Sequence, residues 1–137
     1  MLRVVLDTNV FVSAVIAKGK PRELLIKGIE KRFRIVTSEF VLRELVDVLR
    51  KPRLKTSEDE IHRTVLALIQ SSEIVRVTSN FTVVDDDPDD NMILSTAYDG
   101  RADIIATGDK LLLGLKNFRN ARILSVAAVL KELKAEH

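Results

Sequence analysis

Apolar residues recur along the chain with two different periods, and their alternation predicts strands and helices in turn. Leu2, Arg3, Val4, Val5 and Leu6 form a short run rich in β-branched residues, as expected of a strand buried on both faces of a parallel sheet; the run stops at Asp7, Thr8 and Asn9. Val10 to Ala17 is mostly apolar and helix-compatible, and Gly19 with Pro21 breaks the chain before a second helix from Arg22 to Lys31. Arg34 to Thr37 reads as a second strand. Ser38 is placed to cap a strongly patterned helix that runs to Lys51 and is stopped by Pro52. Ser57, with Glu60 three residues on, has the form of a capping box opening a helix to Gln70, whose apolar stripe is Ile61, Val65, Leu68 and Ile69.

In the second half, Ile74 to Val77 is expected as the third strand, and Phe81 to Val84 is a further β-like run with no assigned place. A helix from Pro88 to Asp99 should end at Gly100, and Asp103 to Ala106 reads as the fourth strand. Thr107, Gly108 and Asp109 then turn the chain into a short helix, Lys110 to Leu115. Arg122 to Leu124 is a fifth strand, and Ser125 caps a last helix carrying Val126, Val129, Leu130 and Leu133 on one face. Strands alternating with helices predict an α/β protein: a three-layer α/β/α sandwich with a mostly parallel central sheet of four to five strands.

Composition narrows this picture. At 137 residues the chain is expected to form one domain, 1–137, with a core that needs no staples. It contains no cysteine, so any metal must be held by oxygen or by His62 and His137, which favours a hard cation. Both histidines are poorly placed for this, one in a charged helix turn and the other at the last position. No leader-like segment and no apolar run of about 20 residues is present, so a cytoplasmic protein without membrane spans is expected. Charged residues make up 31% of the chain but nearly cancel to +2, which permits a nucleic-acid partner without arguing for one. Five Phe and one Tyr are few for a platform that stacks single-stranded bases. The Ser57 to Gln70 helix and the last helix carry enough apolar surface to predict a homodimer.

Four carboxylates stand out by position. Asp7 lies at the carboxyl end of the first strand, the edge where open α/β sheets bind ligands, although a helix cap would also explain it. With Phe40 set at 0°, a step of about 100° per residue puts Glu44 near 40°, between Phe40 and Val48 near 80°, on the edge of the apolar face. A charge there needs a cation or a wet cleft, and a salt bridge to a nearby Arg is the plain alternative. Asp90 precedes Ile93, Leu94 and Ala97 on the inward stripe of its helix. Asp87 and Pro88 form a cap and first-position pair that accounts for Asp87 and Asp89 by helix chemistry, but leaves the inward charge of Asp90 unexplained. Asp109 follows the fourth strand at the same sheet edge as Asp7, where it too could be a cap. Four carboxylates in one small volume repel one another unless cations occupy it, and an all-oxygen set selects Mg²⁺ or Mn²⁺, ions that orient water and stabilise charge on a phosphodiester. The basic residues Lys18, Lys20, Arg22, Lys51, Arg53, Lys55 and Lys110 are mostly surface; those near the active edge could meet phosphates.

Leu6-Asp7-Thr8-Asn9-Val10, Ser38-Glu39-Phe40-Val41-Leu42-Arg43-Glu44-Leu45, Asp87-Pro88-Asp89-Asp90-Asn91 and Thr107-Gly108-Asp109-Lys110-Leu111-Leu112, in this order and spacing, resemble the motifs of PIN-domain proteins. The resemblance covers nearly the whole chain and is nearest to the VapC-like toxin components of toxin–antitoxin systems. It implies a metal-dependent ribonuclease, with Asp7, Glu44, Asp90 and Asp109 matching the acidic quartet and Asn9 and Thr107 the supporting positions. Asp89 would take the place of Asp90 if the helix began one residue later. The expected function is hydrolysis of RNA phosphodiester bonds, with an antitoxin as partner or, alternatively, RNA processing without a toxin role. A haloacid dehalogenase-type phosphatase would want a second Asp at position 9, which is Asn. A phosphoacceptor receiver domain would want an acidic pair after its first strand, whereas Asp85 and Asp86 lie late in the chain.

Overall fold

The computed structural model describes residues 1–84 and 87–135. Six strands, β1 (Arg3–Leu6), β2 (Arg34–Ser38), β3 (Ser72–Val75), β4 (Ile104–Ala106), β5 (Asn117–Phe118) and β6 (Ala121–Leu124), form one sheet in the order β3-β2-β1-β4-β6-β5. All neighbours are parallel except β5 and β6. The helices are α1 (Thr8–Ile16), α2 (Lys20–Ile29), α3 (Glu39–Leu49), α4 (Glu58–Ser71), α5 (Pro88–Asp99), α6 (Lys110–Leu115) and α7 (Val126–Ala135), with one 3-10 turn at Pro52–Leu54. Crossovers from β1 to β2 to β3 run one way and the return to β4 runs the other. Right-handed connections therefore place α1 to α4 on one face and α5 and α6 on the opposite face, giving three layers. The parallel strands β1 and β4 are apolar throughout their buried positions: Val4, Val5, Leu6, Ile104, Ile105 and Ala106 are all fully enclosed.

The elements expected from the pattern are present, with helix ends shifted by one or two residues and with four further differences. The sheet has six strands because the chain between α6 and β6 makes a two-residue strand, Asn117–Phe118, turned at Arg119 and Asn120; so short a run leaves no periodicity to read. The third strand begins two residues earlier than the apolar run, because Ser72 and Glu73 pair with Ile35 and Val36. Phe81 to Val84 belongs to no strand. Of the acidic run Asp85 to Asp90, Asp85 and Asp86 lie outside the described residues, as does His137. Finally, the last helix offers no open stripe: Val129, Leu130 and Leu133 are buried, and α7 packs on α2. Exposed apolar side chains are found instead at Leu66 and Ile69 on α4, Ile26 and Ile29 on α2 and Ile16 on α1, and also at Leu111, Tyr98, Ile74, Val83 and Met1.

Helix ends show how the fold is held. Ser38, Ser57 and Ser125 each accept a hydrogen bond from the N–H three residues on, at 3.5, 3.1 and 3.1 Å. Among the described residues, every non-glycine residue with positive φ is Lys or Arg: Lys31, Lys55, Arg101, Lys116 and Arg119. Four of these follow a helix or 3-10 turn, where a cation meets the negative end of the dipole. Gly100 is therefore not the left-handed residue that ends α5; its φ is −84°, and Arg101 takes that conformation with φ 53°. Glycine is required at 100 by contact, since a Cβ would fall 2.4 Å from Val36 Cγ1. Gly100→Ala is expected to cost about 1–3 kcal/mol by overpacking β2. Arg101→Gly should be neutral or stabilising by up to about 1 kcal/mol. Urea unfolding of the two variants checks the pair, and equal effects of the same sign would refute the assignment.

Candidate metal centre

The site lies where the strand order reverses, at the carboxyl ends of β1 and β4. Leu6 is registered with Ala106, so the next residues, Asp7 and Thr107, emerge side by side. Thr107 Oγ1 donates to Asp7 Oδ2 at 2.7 Å, and the same oxygen accepts from the Asp109 N–H at 3.0 Å. One buried hydroxyl thus ties both strand-end acids to a fixed geometry. Asp7 occupies the N-cap position of α1 but makes no capping hydrogen bond with its side chain. The residue is only 6% exposed. Burial raises its pKa; the Thr107 hydrogen bond opposes this, the Asp109 charge adds to it, and the backbone N–H groups of Thr8 and Asn9 ease the charge. Asn9 is itself exposed, so its backbone is what reaches Asp7.

The remaining acids come from α3, α5 and the turn into α6. Asp109 caps α6 by accepting from the Leu111 N–H at 2.8 Å, and Asp87 caps α5 by accepting from the Asp90 N–H at 3.1 Å. Capping does not exhaust either residue. Asp87, Asp90 and Asp109 each bring a carboxylate oxygen within 4.8 Å of the others. Asp90 is 4% exposed, and its Oδ2 is buried without a hydrogen-bond partner. Its pKa is pushed up to about 8 by burial, then by hydrogen bonding to Asp109 and the Asp109 charge, with Asp87 and Asp7 adding to the effect. Glu44, half-buried on α3, is pushed up to about 7 by burial and then by the charge of and hydrogen bond with Asp89, with Asp7 and Asp87 behind them. The charges that raise Glu44 are carboxylates, and among the described residues it forms no salt bridge.

The structure therefore brings Asp90 and Asp109 together with Asp87, while Asp7 lies within electrostatic reach of Asp90, Asp109 and Glu44. Asp89 is exposed and lies against Glu44, while Asp90 is the inward residue, because α5 begins at Pro88. Asp87 is the member that sequence reasoning leaves out. Its cap-plus-proline context explains it so completely that no residual signal points to a second role. Arg22 is not free for phosphate: its guanidinium donates to the Ala14 and Val15 carbonyls at 2.8 and 2.9 Å, closing the end of α1.

Asp90 decides what the volume fits. A buried carboxylate with an orphaned oxygen, facing two others, is costly by itself and is relieved by a hard cation with oxygen ligands. The Asp87, Asp90 and Asp109 cluster could coordinate a divalent metal, and such a centre has the chemistry of a metal-dependent phosphodiesterase. Comparison with known proteins agrees with this chemistry, since the PIN domain model matches residues 3–111.

The chain belongs to the PIN domain family.

A relative of this PIN domain is the uncharacterized protein MJ1680 of Methanocaldococcus jannaschii, 36% identical over 120 residues, which are 85% of this chain and 76% of that protein. Among solved structures, VapBC2 from Rickettsia felis, bound to a DNA fragment from their promoter, superposes with a TM-score of 0.60. It is 17% identical and the match covers 89% of this chain and 97% of that one, a likeness of fold. Among the described residues no helix is long and apolar enough to cross a membrane.

Proposed function

We propose that this PIN domain, acting as one unit over residues 1–137, is a metal-dependent endoribonuclease. The observation that carries the reading is Asp90, whose buried, unpartnered oxygen faces Asp87 and Asp109 at the carboxyl edge of the central strands. Asp7, Glu44, Asp90 and Asp109 would hold Mg²⁺ or Mn²⁺, with Asp87 as a fifth acid. A divalent ion held there would supply Lewis-acid stabilisation of a charged phosphodiester and would lower the pKa of water. Thr107 fixes the orientation of Asp7, and the Asn9 backbone supports the same carboxylate. Burial and neighbouring carboxylates push Glu44 up to about 7 and Asp90 up to about 8, so cation binding near neutral pH would release protons. Asp7 is enclosed and already hydrogen-bonded, which disfavours its use as a covalent nucleophile and so disfavours the phosphatase alternative.

The likeness to VapBC2 supports a toxin role with a protein antitoxin as partner. Co-purification with the product of a small adjacent reading frame tests that role against RNA processing. A homodimer in this reading uses the exposed Leu66 and Ile69 on α4; a monomer mass by light scattering at micromolar concentration would refute it. The principal test uses single-stranded RNA with Mg²⁺ or Mn²⁺. Cleavage should require the ion and stop with chelator. Activity surviving in excess chelator, or hydrolysis of phosphomonoesters without RNA cleavage, would sink the proposal.

A further inference from the structure

Asp87 is the acid in the cluster carried by the segment before α5, and its position depends on how that segment is held. Three hydrogen bonds from one side chain hold it. Asn91 Oδ1 accepts from the Val83 and Val84 N–H groups, both at 2.9 Å, and Asn91 Nδ2 donates to the Val84 carbonyl at 2.8 Å. The amide orientation is fixed by this pattern, since a flipped amide would set a donor against two donors and an acceptor against an acceptor. The Val84 carbonyl also accepts from the Asp87 N–H at 3.3 Å, and the Asp87 carbonyl accepts from the Asn91 N–H at 3.2 Å. Asn91 and Asp87 therefore meet on a shared oxygen from one side and on consecutive turns of backbone from the other. Asn is a poor choice inside a helix, where Ala, Leu or Glu would contribute more, so its side-chain bonds offset a local cost in propensity.

We propose that Asn91 is a positioning residue of the metal centre: by clamping Val83 and Val84 onto the first turn of α5 it sets the reach of the Asp87 carboxylate toward Asp90 and Asp109. It acts on the cation through Asp87 and does not touch it. This rests on the cluster being a metal site, as proposed above. The same loop, residues 76–84, has a second anchor further down the helix, which serves as an internal control. Asp99 accepts from the Thr78 N–H, the Ser79 N–H and Ser79 Oγ at 2.7, 2.9 and 2.6 Å. That anchor fastens the loop with as many bonds but has no link to Asp87.

The experiment is calorimetric titration of the full chain with Mn²⁺, alongside thermal melts without metal. Asn91→Ala should weaken Mn²⁺ binding about tenfold to a hundredfold, as loss of a group orienting a ligand does. Asp99→Ala should lower the melting temperature yet leave Mn²⁺ affinity within about twofold. Asn91→Gln, one methylene longer, keeps an amide but displaces it from the three partners, and should fall with Ala; it also serves if Asn91→Ala does not fold. Parent-like Mn²⁺ affinity in a folded Asn91 variant, or equal losses for the Asn91 and Asp99 variants, would overturn the clamp while leaving the metal site standing. A parent protein that takes up no Mn²⁺ would overturn both.

Discussion

Asp90→Asn is expected to raise the melting temperature of the metal-free protein while cutting RNA cleavage on the order of a thousandfold. The two effects have one origin. Asp90 is buried among Asp7, Asp87 and Asp109, and its pKa stands near 8, so near neutral pH the fold must either keep a proton on it or hold like charges together. Asn has the same shape, carries no charge and offers an N–H to the neighbouring carboxylate, so it removes the repulsion without opening a cavity. Added Mg²⁺ should stabilise the parent by mass action and the variant far less. Thermal melts with chelator and with Mg²⁺, run beside a cleavage assay, read all of these effects. If Asp90 were only a first-turn acid favouring the α5 dipole, Asn would lower the melting temperature slightly and leave the Mg²⁺ response unchanged.

The metal-free protein should lose stability as pH rises from about 5 to about 8.5, and saturating Mg²⁺ should flatten or reverse that slope. Glu44 is pushed up to about 7 and Asp90 to about 8, and burial raises Asp7 as well. An acid whose folded pKa lies above its unfolded value binds more protons folded than unfolded across the interval between them. Its contribution is complete below the unfolded pKa, near 4, and is lost as pH climbs through the folded one. A cation competes with those protons, so its stabilisation grows over the same interval. Melting temperatures across this range, with chelator and with Mg²⁺, give two curves that should converge at low pH and separate at high pH. Parallel curves would mean that the raised acids and the cation do not share a site.

How much of this is legible in the sequence differs from residue to residue. The helical wheel places Glu44 on the edge of the apolar face, and the structure finds it half-buried and facing carboxylates, because an 11-residue helix with a strong stripe leaves little freedom of rotation. Asp7 and Asp109 are visible as strand-end acids, yet only the structure separates them: Asp109 caps its helix with a well-formed hydrogen bond, while the carboxylate of Asp7 is held chiefly by Thr107. That difference is a matter of rotamer and cross-strand register, which no local pattern encodes. Asp87 is hidden because its capping role satisfies every local rule. Gly100 shows the converse, since its place after α5 reads as a conformational need when the cause is the nearness of Val36, 64 residues away in the chain.

The hydrogen bond from Thr107 to Asp7 spans 100 positions of the chain. Asp7 lies at the end of the first of the six strands in chain order, and its orienting hydroxyl is added to the chain 100 residues later. Strand β4 must then insert beside β1 before the acids share a volume, a long-range pairing of the kind that folds slowly. During synthesis, a nascent chain therefore carries Asp7 before it has the hydroxyl and the second strand-end acid that meet it in the fold. On the proposed function, no cleavage is expected from a nascent chain until Thr107 and Asp109 have been added, a delay that arises from strand order alone.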